Sequence, residues 1–148
     1  MKIRFAVSLL AGLMSQYAGA SDCLPYAPEP VTLEGTVSRQ VFPGPPNFES
    51  VADGDEKLVY WILHLDSPIC VGSGAVTKEL DESEPRVLEI QIAAKDIRFY
   101  REKRKAVGKR VKVTGTLFHQ HTGWHVTKVV LQASDLSYAQ PGAKGNAR

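Results

Sequence analysis

Residues 107–119 read Val-Gly-Lys-Arg-Val-Lys-Val-Thr-Gly-Thr-Leu-Phe-His, and this stretch decides the fold. From Arg110 to His119 apolar and polar residues alternate through Val111, Val113, Gly115 and Leu117, the period of two that a half-buried strand requires. Gly108, just ahead of it, is a stop for a preceding helix. Gly115 stands where a curved barrel strand turns a corner.

Upstream, residues 93–107 fit a short helix, with Ala93, Ile97, Tyr100 and Val107 on one side and Arg98, Arg101, Lys103, Arg104 and Lys105 largely elsewhere. Before it lie three strand patterns. Strand one starts at Val31 and alternates through Leu33, Gly35 and Val37, with Gly35 a natural bend. Strand two runs from Leu58 to Leu65, with Val59, Trp61, Leu63 and Leu65 on one face and Tyr60, Ile62 and His64 on the other. Strand three is Val87 to Ile92, after a Val71-Gly72-Ser73-Gly74 turn and an acidic excursion over 79–84. Between strands one and two, Phe42-Pro43-Gly44-Pro45-Pro46-Asn47-Phe48-Glu49-Ser50 and on to Asp55 is too rich in Pro and Gly for helix or central strand. Downstream, a turn at Thr122-Gly123 leads into strand five, Trp124 to Leu131. Three strands, a helix and a two-stranded hairpin are the element order of a mostly β chain folded as a small OB-like five-stranded Greek-key barrel, the helix between strands three and four. A small open β-sandwich competes with it.

The ends of the chain read differently. Lys2 and Arg4 precede an apolar run from Phe5 to Met14, and Ala18-Gly19-Ala20 supplies the small residues of a signal-peptidase site, so residues 1–20 are expected to be a leader cleaved after Ala20. The apolar core is too short to span a bilayer, and no other stretch replaces it. Residues 21–136 then form the domain and 137–148, small and polar, a disordered tail. The leader takes away two bases and no acid, so the 18 Lys and Arg fall to 16 against 16 Asp and Glu. A neutral exported chain lacks the cationic surplus that nucleic acid demands. Cys23 and Cys70, an even count in an oxidising compartment, read as one disulfide, worth roughly 4 kcal/mol in the chain-entropy picture.

Several of these stretches together resemble a family of secreted bacterial proteins known as domain of unknown function 4431 (DUF4431). The residues that carry the likeness are Cys23-Leu24 with Tyr26, Val31, Leu33 and Gly35, the Phe42–Ser50 loop with Gly54-Asp55, Pro68-Ile69-Cys70, and 113–119 with His121-Thr122-Gly123. The family has a histidine-rich stretch after the last of these glycines, where this chain has Trp124, His125 and Val126 and so keeps one histidine. The resemblance implies export and a fold type, and no activity.

In an OB barrel the loops between strands one and two and between strands four and five flank the ligand face. A ligand site is therefore expected on Phe42, Pro45, Asn47, Phe48, Glu49 and Asp55 of one loop and Trp124 of the other, for a protein, peptide or saccharide. His119, His121 and His125 offer a second chemistry, zinc or copper binding, completed by Glu49, Asp53 or Asp55. His119 and His121, two apart, should share a face; His125 opposes Gln120 or His119 according to turn length. The plain alternative is that these are polar turn residues. The run Arg98–Arg110, seven bases against Glu102, would dock an acidic partner or anionic headgroups, or is a solvated helix face. Gly72-Ser73-Gly74 is no nucleophile elbow, and His64, beside Asp66, reads as a structural strand residue. The sequence thus points to an exported binding module without catalysis or cofactor. A transition-metal protein and an inhibitor or immunity-type protein are its alternatives.

Overall fold

The computed structural model describes residues 23–72 and 82–140. The leader over 1–20, most of the acidic excursion and the last eight residues of the tail lie outside them. Along the chain come β1 (Leu24–Pro25), β2 (Pro30–Pro43), β3 (Lys57–Gly72), β4 (Glu84–Ala94), α1 (Ile97–Glu102), a 3₁₀ turn at Arg104–Ala106, β5 (Arg110–His119) and β6 (Val129–Tyr138). β2 pairs antiparallel with β3 on one side and with β5 on the other. β3 continues antiparallel to β4, β5 to β6, and a parallel pairing of β4 with β6 shuts the ring. The circuit β2-β3-β4-β6-β5-β2 is the OB-like closed barrel, with its helix between the third and fourth barrel strands.

Burial follows the alternation. Leu33 and Val37 of β2, Trp61, Leu63 and Leu65 of β3, and Val111, Val113 and Leu117 of β5 all face the core. Removing their apolar surface from water is the main force closing the ring. Gly35 sits in the one part of β2 held on both sides, opposite Leu65 of β3 and Val111 of β5. A Cβ there would drive into the carbonyl of His64, and one at Gly115, where the β5–β6 register shifts, into the carbonyl of Gln132. Both bends expected at these glycines are therefore required by close backbone approach.

Cys23 and Cys70 form the disulfide. It lies beside the pairing of β1 with Val71 and Gly72, which straps the chain ahead of β2 onto the end of β3.

Two expectations are corrected. The helix does not span 93–107: Ala93 and Ala94 still pair with Gln132 and Ala133, and α1 begins only after Asp96, whose side chain accepts the Arg98 N–H as an N-cap. Ile97, assigned to the inward side, is 77% exposed. The fifth barrel strand is not Trp124–Leu131 but β6, and Ser137 and Tyr138, read as tail, pair with Lys112 and Val111. The cause is an excursion over 120–128, closed by the Gln120 N–H on the Lys128 carbonyl, in place of a tight hairpin turn. Gln91, which points outward from β4, donates to the Trp124 carbonyl and accepts the Val126 N–H, so the excursion lies over the outer wall. Ile62 and Val130, flanking Gln91 in the sheet, are buried there although their neighbours along each strand face the core.

Candidate functional site

The loop over 44–56 is built around one carboxylate. Asp55 is buried, and its two oxygens accept the N–H groups of Asn47, Glu49 and Ser50 at 3.0, 2.8 and 2.9 Å and the Asn47 amide at 3.2 Å. The backbone donors of Ser50 and Glu49 outweigh burial and hold this acid below the usual carboxylate range. The Glu56 N–H on the Pro45 carbonyl and the Gly44 N–H on the Glu56 carbonyl close the loop at its base. At its tip Phe48 adopts φ 60°, the left-handed region that favours glycine. Its ring meets Trp124 edge to face at 5.5 Å and lies over Gly123.

The two loops expected to meet on one rim do meet, through Phe48 and Trp124. Asp55 and the Asn47 amide are used in building the loop, Pro45 is half-buried at its base, and Glu49 is exposed beside the tip. Phe42 turns away to Tyr60, 6.1 Å between ring centres. Trp124 remains 47% exposed, the largest aromatic surface on the rim.

The three histidines part company. His119, the last residue of β5, is buried with Nε2 3.2 Å from Glu84 and its ring edge-on to Tyr26. His121 and His125 lie beside Phe118 instead, 4.6 Å apart, with the His125 Nδ1 accepting the His121 N–H. His121 does not share the face of His119 because the strand has ended and period two no longer applies. Burial, with His121 adding to it, pushes the His125 pKa down. Among the described residues, Glu82, Glu84 and His119 bring ligand atoms within 4.8 Å of one another. The Lys128 ammonium, 3.2 Å from Glu84, is the cation that this carboxylate already holds. Burial raises the Glu84 pKa, but the hydrogen bonds from His119 and Lys128 outweigh it and leave the group below its ordinary value. Glu49, Asp53 and Asp55 are not in this grouping, and among the described residues no ligand-spaced group joins them to a histidine.

The outer wall carries an arrangement that the sequence reading missed. His64 does not pair with Asp66, which binds Arg110. Its Nδ1 lies 3.2 Å from the Glu89 carboxylate on β4 and its Nε2 2.7 Å from the Ser38 hydroxyl on β2, with the Gln40 amide 3.2 Å from both Nε2 and Oγ. With the proton on Nδ1 the ring would donate to Glu89 and accept from Ser38, so the three side chains are spaced as a hydroxyl–imidazole–carboxylate alignment. Alternation alone aims His64 and Ser38 outward; that they meet depends on the β2–β3–β4 register, which no local pattern encodes.

Comparison with known families places part of this architecture. The model described as Domain of unknown function (DUF4431) matches residues 89–137, from the second half of β4 through α1 and β5 to the end of β6. The matched part holds His119 at the end of β5 and Trp124, His121 and His125 of the excursion, while the loop over 44–56 lies ahead of it. No curated protein matches the chain.

Proposed function

We propose that this chain is an exported binding module that holds a protein, peptide or saccharide ligand against the outer wall of its barrel. The observation that carries the reading is the Phe48–Trp124 contact, which joins loops distant in sequence into one rim; Gln91, two residues along β4 from Glu89, ties that rim to the outer wall that also carries Ser38, Gln40 and His64. An exposed indole next to fixed polar groups suits a ligand with both apolar and hydrogen-bonding faces. The Asp55 network fixes the rim before a ligand arrives, which lowers the ordering cost of binding. Export is supported by the formed disulfide, a bond that persists in oxidising compartments. No helix among the described residues is long and apolar enough to cross a membrane.

The two tryptophans provide the test, because Trp61 is buried in the core and Trp124 stands half in water. Titrating the oxidised protein with panels of oligosaccharides and peptides should change the emission of Trp124, and the Phe48→Ala and Trp124→Phe variants should bind the active compound more weakly while melting cooperatively. A compound bound equally well by parent and both variants would end the rim reading. An inhibitor or immunity role is the protein-ligand version of the same site and predicts a complex weakened by the same substitutions.

The Ser38–His64–Glu89 alignment favours a second reading, ester hydrolysis. Ser38 Oγ would attack an acyl carbon as its proton passes to His64 Nε2, the leaving alcohol would take that proton, and water would release the acyl group from Ser38 by the reverse relay. Turnover of p-nitrophenyl acetate should disappear in Ser38→Ala and fall in His64→Gln. Equal rates in parent and variants rule this reading out.

A further inference from the structure

At the helix end of the barrel, β2 and β3 run on past their neighbours. β5 accompanies β2 only from Pro30 to Thr36. At Val37 the chain over 107–109 takes over: Val37 bridges Val107, its N–H donates to the Lys109 carbonyl, and its carbonyl accepts the Gly108 N–H. β4 accompanies β3 in this direction only as far as Trp61. Past these points Ser38–Pro43 have β3 alone as a neighbour among the described strands, and Lys57–Tyr60 have β2 alone. Alternate residues of an antiparallel strand turn their N–H and C=O groups to the same side, so Arg39 and Val41 offer theirs on the side where Val37 is bonded, and no described strand takes them.

Beside this open edge lies a groove of about 880 Å³ between the β2–β3 extension and the helical segment. Val59, Trp61, Tyr100 and Ile97 give it an apolar floor, with the Trp61 and Tyr100 rings packed edge to face at 5.2 Å. Arg39, Arg101, Arg104 and Lys105 line it as well, and no acidic residue among the described ones does. Among the described residues none of the four is in an ion pair, whereas Arg98, Lys103, Arg110, Lys112 and Lys128 each hold a carboxylate. Residues 141–148 carry Lys144 and Arg148 and neither Asp nor Glu, so that segment has the wrong charge to fill it.

We propose that the groove takes up an extended acidic segment of a protein partner, which adds as a strand on the Arg39–Val41 edge. Alternate side chains of such a segment would turn into the groove, where carboxylates on their methylene stems would cross Trp61, Val59 and Ile97 and meet the four cations that line the same groove, while the intervening side chains face away. A peptide backbone is the ligand that uses the ladder edge as well as the charge and the apolar floor; a lipid headgroup or a sugar uses at most two of the three. The site is separate from the Phe48–Trp124 rim, so either reading can fail without the other.

The probe is a fluorescein-labelled synthetic peptide of alternating Glu and Leu, titrated into the oxidised protein at low and high salt. Binding is expected, weakened by salt and by about tenfold or more in the Arg104→Glu/Lys105→Glu double variant, whose two sites are exposed, and unaffected by Trp124→Ala. A copy of the peptide N-methylated at alternate residues, unable to complete a ladder, should bind at least tenfold more weakly. The proposal is overturned if the Glu-Leu peptide does not bind, if the methylated or a Lys-Leu peptide binds as well, or if vesicles of anionic phospholipid bind with the same charge dependence while the peptide does not. Melting curves of the double variant check that any loss of binding is not loss of fold.

Discussion

The two ends of β5 open onto opposite kinds of surface. Where the strand finishes, at His119, the barrel is sealed: Glu84 holds both His119 and Lys128, Tyr26 packs on the imidazole, and the disulfide and β1 strap the chain across. Where it begins, at Arg110, the neighbouring helical segment and the β2–β3 extension leave apolar side chains and four unmatched cations around a groove. Charges at the sealed end satisfy one another and contribute to the fold. Among the described residues, the cations at the open end have no such partner. The difference separates the part of the barrel that holds the structure from the part that presents it.

That contrast can be broken by measurement. Replacing Cys23 and Cys70 together by Ala should have the largest effect, a loss of about 4 kcal/mol in denaturant unfolding, because the bond closes a separation of 47 residues. A loss near zero would mean that β1 and Tyr26 hold the strap unaided. Glu84→Gln should cost about 1–3 kcal/mol, since the amide removes the negative charge and keeps one acceptor oxygen where His119 and Lys128 each use one. The sealed end should also be acid-sensitive. His125 has a depressed pKa, so its contribution is complete above the unfolded histidine value of about 6.5 and is lost as pH falls below it. Glu84, also depressed, adds a second loss of the same sign below about pH 4.3. Thermal melts between pH 7.5 and 3.5 should show both steps, and a His125→Gln variant should lack the upper one. The smallest effect belongs to the open end: Ile97→Ser and Arg104→Ala should each change stability by no more than about 0.5 kcal/mol. A larger cost at either position would show that the groove is part of the fold and erase the distinction.

How far the sequence revealed this depends on how local each feature is. β5 lies where the alternation puts it, residue for residue, because its inward residues fill the core and its outward ones remain polar or half exposed. β6 was misframed because Trp124, Val126, Val130 and Leu131 make a convincing apolar run, yet the first two belong to an excursion that covers the outer wall. A strand buried on both faces, as at Val130, loses its period of two. Ala93 and Ala94 favour helix intrinsically, and the parallel pairing with β6 overrides that preference. Of the site, the meeting of Phe48 with Trp124 was legible once the strand order was read, since that order alone brings the two loops together. The partners of His64, the separation of His119 from His121, and the groove come from register and from where a short helix stops, which sequence patterns do not carry.

Gly35 and Gly115 leave a trace of another kind. Each marks a point where one backbone passes so close to the next that a single methyl group has no room, one in the first half of the barrel and one in the second. Loops around such a frame can lengthen, shorten or change composition freely, while these two positions have almost no tolerated replacement. In a diverged relative whose rim and groove have been rewritten beyond recognition, the paired glycines, each set in an alternating strand, would be the last features to disappear, and the first to search for.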